Sequence, residues 1–375
     1  MSKIIIWETL SKIGGGQEMT LKVADILKIE NELHFLIPVK GELSSALEKR
    51  NIPYTLMGDQ SMPKGEKGVK GLLKFIYLTF KAFSKGRKAI REQKPDILYA
   101  PGPAALVWSA MCATSSTKVV WHLHHFFQSG DTKKLINLFS KRNCVKRIIS
   151  VSDFVSEQIK EEKAENKKIT IYNPIKPLSN EVLRKNLCDE YEKLNSDIKI
   201  AQVGFIMPTK NQSFTLDVVK TLKDKGEKVS CAFIGSVQDG EEEYKTFLNK
   251  KVKEYGLDEN VVFTGYRTDV SEIISSFDVV FIPSVEGFSL VAVQAITENV
   301  PVLCVDNSGC TEIIKNTSCG MIYSPESNID DVASTLIKTT LIDVKTQIEK
   351  HPEFIFSECS YDNFSKKIID IFKFD

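Results

Sequence analysis

The stretch Phe281-Ile282-Pro283-Ser284-Val285-Glu286-Gly287-Phe288-Ser289-Leu290-Val291-Ala292-Val293-Gln294-Ala295 reads as one unit of structure. A buried strand ends at Pro283-Ser284, a tight Glu-Gly turn follows, and an apolar helix begins near Ser289. A strand feeding directly into a helix is the βα unit of a parallel sheet. The junction leaves backbone N–H groups and the positive end of a helix dipole at the carboxyl edge of that sheet, a ready site for a diphosphate. Gly287 allows the backbone to approach a ligand closely. Gln294, eight positions after Glu286, lies further along the helix and can reach a different part of the same ligand.

Outward from this unit, short apolar, β-branched runs alternate with longer amphipathic stretches along most of the chain. In the first half the strand candidates are Lys3–Trp7, His34–Pro38, Pro53–Met57, Ile97–Ala100, Lys118–His122, Arg147–Ser150 and Ile169–Tyr172. In the second they are Ile198–Gly204, Val229–Ile234, Val261–Thr264, Val279–Ile282, Val302–Val305 and Met321–Tyr323. The alternation restarts once, after Asn173-Pro174-Ile175-Lys176-Pro177-Leu178, whose prolines and polar residues suit a linker. The expected architecture is α/β, with two doubly wound Rossmann-like domains facing a central cleft. The first takes residues 1–176 plus 358–375, its final helix Tyr361–Phe374 returning to it, and the second takes residues 177–357. Ligands of such sheets bind at the carboxyl ends of the strands.

A chain of 375 residues exceeds what one hydrophobic core serves, and 42% apolar with 26% charged residues is an ordinary globular composition. The formal net charge of +1 argues against nucleic acid as a partner held by bulk electrostatics. Eight scattered cysteines, with no Cys-x-x-Cys pair or nearby histidine at zinc spacing, read as reduced structural thiols. The start, Met1 to Glu8, has a charge on each side of a very short apolar run, so it reads as a buried strand and not as a leader core. No stretch approaches the ~18 apolar residues of a membrane span. These readings place the chain in the cytoplasm or at the inner membrane surface. Lys70, Lys74, Lys81, Lys85 and Lys88 fall within a narrow helical arc, with Leu73, Ile76, Phe80 and Phe83 on another face. Such a helix has two readings, a solvated face or a contact with an anionic membrane.

Three histidines end an apolar strand in Val119-Val120-Trp121-His122-Leu123-His124-His125. Alternation puts His122 and His124 on one face and His125 on the other.

The segment Pro283-Ser284-Val285-Glu286-Gly287-Phe288-Ser289, followed by Pro301-Val302-Leu303-Cys304-Val305 and the turn Gly309-Cys310-Thr311-Glu312, resembles the signature of the retaining glycosyltransferases of family four. Val203-Gly204-Phe205-Ile206-Met207-Pro208-Thr209-Lys210 resembles the first strand and loop of that family's nucleotide-binding domain. Val151-Ser152-Asp153 and Tyr172-Asn173-Pro174 resemble landmarks late in its first domain, and Gly14-Gly15-Gly16 its first glycine-rich loop. The motifs are specific from Ile198 to about Tyr323. The resemblance implies the GT-B fold and transfer of a sugar, from a nucleotide donor that is by default a UDP-sugar, to a glycan or lipid-linked acceptor in bacterial surface-polysaccharide assembly. It implies catalytic roles for Glu286, His124 and Lys210, and a donor site that also draws on Gly14, Gly15, Gly16, Gly287, Phe288, Ser289, Leu290 and Gln294. No metal or other cofactor is expected, and no Asp-x-Asp motif is placed to hold one.

Two positions depart from the pattern. Gln294 stands where the family usually has a glutamate that binds the ribose, and Phe205 where many members carry an arginine. Asn299 also replaces a frequent glycine in a turn. The departures leave a non-catalytic partner subunit as one rival, and the shared fold leaves a nucleotide-sugar 2-epimerase as another.

Overall fold

The computed structural model describes residues 1–58, 69–127, 129–175 and 196–374, and for 69–76 the backbone alone. Lys176-Pro177-Leu178 of the linker reading, Cys188, and the side chains of Lys70, Leu73, Lys74 and Ile76 therefore lie outside the described residues.

The described residues form thirteen strands at the thirteen expected places. Strands β1 (Lys3–Trp7), β2 (Glu32–Ile37), β3 (Tyr54–Leu56), β4 (Ile97–Ala100), β5 (Lys118–Leu123), β6 (Val145–Ser150) and β7 (Lys168–Thr170) make one sheet, in the order β3-β2-β1-β4-β5-β6-β7. Strands β8 (Ile198–Val203), β9 (Val229–Ile234), β10 (Val261–Gly265), β11 (Val279–Ile282), β12 (Val302–Val305) and β13 (Gly320–Tyr323) make the other, in the order β10-β9-β8-β11-β12-β13. Every pairing is parallel. Parallel strands need crossovers, and the intervening helices cover the sheet faces, so strands such as Val279–Ile282 and Val302–Val305 are buried at every residue.

The chain divides into two compact units, Met1–Asn173 with Asp362–Asp375, and Pro174–Tyr361. The sequence reading put the crossings at 176/177 and 357/358. Each unit has its own core. In the first, Ile4, Ile6, Phe35, Tyr99 and Val120 pack with Phe364, Ile368, Ile371 and Phe372 of the last helix, Tyr361–Phe372. In the second, Ile200, Phe233, Phe281 and Leu303 pack with Leu216, Val219 and Leu336.

Both sheets have the doubly wound order in which the chain fills one side of the first strand and then returns to the other. The return creates a switch point between β1 and β4, and another between β8 and β11. At those points adjacent loops leave the carboxyl edge in opposite directions and open a crevice.

The helix Val69–Gln93 packs inward through residues that the sequence reading did not name. Leu78, Ala82, Gly86, Ala89 and Ile90 are buried, whereas Phe80 is 72% exposed. Gly86 lies against Trp7: a β-carbon on Gly86 would come within 2.2 Å of Trp7 Cη2. No described helix is long and apolar enough to cross a membrane.

Candidate active site

Lys210 and Glu286 are 76 residues apart in sequence, yet they follow the two strands that flank the second switch point. Lys210 closes a short 3-10 turn, Pro208–Lys210, after β8. Its carbonyl accepts from Gln202 Nε2 at 2.6 Å, and Gln202 Oε1 accepts from the Thr215 hydroxyl at 2.7 Å. Asn211 next to it adopts a left-handed backbone (φ 57°) and donates to the carbonyl of Pro283 at 3.4 Å, tying the β8 loop to the β11 loop. Asparagine tolerates that conformation better than most side chains.

On the β11 side, Glu286 is held from beneath. Its N–H donates to Ser308 Oγ at 3.2 Å, and its carbonyl accepts from Gly309 N–H at 2.8 Å. The approach is so close that a β-carbon on Gly309 would lie 2.0 Å from the Gly287 carbonyl oxygen. The glycine that the close contact requires is therefore Gly309, which supports the turn from the start of the helix Gly309–Thr317.

The two loops meet in an ion pair. Lys210 Nζ donates to Glu286 Oε1 at 2.7 Å, and Ser284 Oγ donates to the same oxygen at 2.5 Å. Lys210, Glu286, Phe288, Ser289 and Leu290 line a cavity of about 190 Å³, together with Gln202 and Ser284. The helix Leu290–Thr297 starts at its wall, with Ser289 Oγ accepting from Ala292 N–H at 3.2 Å. The N–H groups of Leu290 and Val291 have no acceptor within their own helix, and both residues line the cavity. A lysine, a helix start and a carboxylate around one cavity can hold a diphosphate beside a polyhydroxylated group.

Of the residues expected at the donor site, Gly287 and Gln294 of the second unit do not line this cavity. The Gln294 amide donates instead to Ser271 Oγ. Phe205 is 43% exposed at the end of β8, its carbonyl accepting from Gln212 Nε2 at 2.9 Å. Asn299 takes a left-handed backbone (φ 61°) just after the helix, the conformation for which a glycine is the default.

In the first unit, Gly14 precedes and Gly15 and Gly16 open the helix Gly15–Leu27, so the glycine run is the first helical turn and not a free loop. A β-carbon on Gly16 would come within 3.9 Å of His125 Nε2, so the histidine strand end and the glycine turn are neighbours. His122, the penultimate residue of β5, is fully buried and hydrogen-bonded through Nδ1 to the Tyr99 hydroxyl at 2.6 Å. The rings of His122 and His124 are 4.0 Å apart, as side chains on one face should be. Burial pushes the His122 imidazole down to about 3. Burial, then repulsion from His122 and His125, holds His124 well below the usual histidine range. Both rings are therefore neutral at pH 7, and their Nε2 atoms have no partner among the described residues.

Sequence reasoning passed over several supporting residues. Glu8, at the end of β1, is buried, and burial raises its carboxyl above the usual range against hydrogen bonds from Thr20 (2.7 Å), Gln17 and the Thr9 N–H. Its signal was a charge directly after an apolar strand at a switch point. Gln202, Ser284 and Ser308 carry no signal of their own, because small polar residues near strand ends are common. Among the described residues no group of three or more His, Cys, Asp or Glu side chains is placed to hold a metal ion.

Two family models match the chain in succession. Residues 41–177 match Glycosyltransferase Family 4, and residues 184–347 match Glycosyl transferases group 1. The chain is 27% identical over 364 residues to the capsular polysaccharide biosynthesis glycosyltransferase CapH of Staphylococcus aureus, covering 92% of this chain and 91% of that protein. It is 27% identical over 241 residues to an uncharacterized glycosyltransferase of Methanocaldococcus jannaschii, an alignment that spans 58% of each. Among solved structures, Anabaena HepE in complex with UDP-glucose superposes with a TM-score of 0.76 at 19% identity, over 99% of both chains. The fold is GT-B, and the matches together support a GT-B glycosyltransferase.

Proposed function

We propose that this chain is a retaining glycosyltransferase that moves a hexosyl or N-acetylhexosaminyl group from a UDP-sugar to a hydroxyl of a glycan or lipid-linked acceptor in surface-polysaccharide assembly. The observation that carries the reading is the Lys210–Glu286 pair beside the helix start at Ser289, at the switch point of the second sheet. In this reading Lys210 and the N–H groups of the first helical turn neutralise the leaving diphosphate, so the reaction needs no divalent metal. Glu286 accepts hydrogen bonds from the sugar and orients it. The bond from the anomeric carbon to the diphosphate breaks as the acceptor oxygen bonds to the same face, and the acceptor's proton passes to the departing phosphate. His124, neutral and half-buried in the first unit, keeps the catalytic role that the resemblance implies. The UDP-glucose bound by HepE and the capsular role of CapH support the choice of donor and pathway class.

The test is a screen of UDP-, GDP- and ADP-sugars for nucleotide release, with and without a chelator. UDP release that persists in excess EDTA is the expected result. Release from only a GDP- or ADP-sugar, or release abolished by the chelator and restored by magnesium, would overturn the donor or the metal-free reading respectively. Conversion of the donor to an epimer without acceptor would favour the isomerase.

The acceptor is proposed to reach the enzyme at an anionic membrane, through the helix Val69–Gln93. Phe80, Phe83, Ser84, Arg87, Lys88, Arg91 and Glu92 line an open groove of about 750 Å³, with three basic residues and one acid, Glu92, which lies 3.8 Å from Lys88 Nζ. Exposed aromatic and basic side chains together suit a lipid surface, at ~1 kcal/mol per basic residue near it. In flotation with vesicles containing anionic lipid, the wild type is expected to float, and a Lys81→Glu, Lys85→Glu, Lys88→Glu variant to remain in the soluble fraction. Equal behaviour of the two proteins would count against the membrane contact.

A further inference from the structure

We infer that Glu286 is a specificity-determining residue that makes the site favour a sugar-bearing nucleotide over the bare nucleoside diphosphate. The inference rests on the reading that the cavity at Lys210 takes the donor's diphosphate. Lys210 is the cation among the residues that line this cavity, and its amino group is already committed to Glu286 Oε1 at 2.7 Å. The Ser284 hydroxyl, donating to the same oxygen at 2.5 Å, fixes the carboxylate in that position. Oε2 carries no hydrogen bond from a described residue.

A diphosphate entering the cavity must draw Lys210 away from Glu286 and then lie beside a group of its own sign. For the bare nucleotide Lys210 exchanges the carboxylate for the diphosphate, but Glu286 is left without its partner beside a group of its own sign, and like charges brought together are penalised. A donor that carries its sugar brings hydroxyl groups, which donate to the open Oε2 and to the oxygen that Lys210 vacates. The carboxylate thus attracts the substrate through its sugar and disfavours the product that remains once the sugar is transferred. A repulsive element aimed at the wrong ligand is a common source of specificity. The consequence for turnover is faster release of the spent nucleotide.

The inference makes a counterintuitive forecast, that removing a donor-site residue strengthens UDP binding. Titration calorimetry with UDP, at one ionic strength, is run on the wild type, Glu286→Gln, Lys210→Met and the double variant. Glu286→Gln is expected to bind UDP about threefold tighter or more, the size of a partly exposed ion-pair effect. The gain should differ in size in the Lys210→Met background, where no ion pair has to be broken and only the like-charge repulsion remains, because the two residues are coupled. Glu286→Ala, checked for folding by its melting curve, should shift in the same direction. UDP binding that is unchanged or weaker in Glu286→Gln, or a gain of the same size with and without Lys210, overturns the inference while leaving the donor reading intact. A wild type that fails to bind UDP at millimolar concentration overturns the donor reading itself, and the inference with it.

Discussion

Glu286→Gln is expected to remove most transfer activity, on the order of 10²-fold or more in kcat. The substitution keeps the shape of the side chain, so the Ser308 and Gly309 contacts to the backbone of residue 286 are unaffected. What it removes is the charge that accepts hydrogen bonds from the sugar and the fixed orientation imposed by Lys210 and Ser284. Hydrogen bonds to an ionised acceptor are roughly twice as strong as neutral ones, and that difference grows as charge develops in the transition state. Initial rates of UDP release in the presence of acceptor measure the loss. A melting temperature close to that of the wild type shows that folding is not its cause. Wild-type turnover by this variant would refute the assignment of Glu286.

Gly309→Ala is expected to damage the same site from beneath. The new β-carbon would stand 2.0 Å from the Gly287 carbonyl oxygen and 3.2 Å from that of Glu286, and both are backbone atoms that cannot rotate away. Relief requires the Glu286-Gly287 turn or the helix Gly309–Thr317 to shift by roughly 1 Å, a displacement that in an active site can cost about 10²-fold in rate. The strain should also destabilise the folded chain by about 1–3 kcal/mol, as overpacking does elsewhere. Thermal denaturation and initial rates, read together, check both effects. Gly130→Ala is the control, since nothing lies within 4 Å of the position its β-carbon would take. Equal melting temperatures and rates for Gly309→Ala and the wild type would show that the turn tolerates the displacement.

The candidate site was legible in the sequence to different depths on its two loops. Glu286 stood out because strand, turn and helix follow one another within fifteen residues, and that local order already implies a carboxyl-edge site. Lys210 was marked by the resemblance of Val203 to Lys210 to a nucleotide-binding loop, and the structure places its amino group on the carboxylate of Glu286. Gln294 read as part of the donor site because it follows Glu286 at a regular interval. The helix carries it past the residues that line the cavity and onto Ser271, a residue of a separate short helix. The glycine run Gly14–Gly16 resembled a glycine-rich loop, and the structure has Gly14 as the N-cap and Gly15 and Gly16 as the first residues of the helix. In the helix Val69–Gln93 the phenylalanines marked an apolar face, while the described residues that pack inward are Leu78, Ala82, Gly86, Ala89 and Ile90. Periodicity reports which residues share a face, and only the packing against neighbours, Trp7 at Gly86 among them, decides which face is buried.

By itself the sequence determined where the strands lie and that they are parallel, because a strand buried on both faces must be apolar and β-branched throughout. It determined equally the strand-turn-helix unit around Glu286, whose residues are neighbours in the chain. The tertiary structure alone decided that β8 lies beside β11, and hence that Lys210 meets Glu286 and that Gly309 props up the turn between them and the sheet. Local pattern encodes burial and period but carries no information on strand order. That order is settled when the chain reverses its direction of winding, and the reversal creates the crevice in which the ion pair forms.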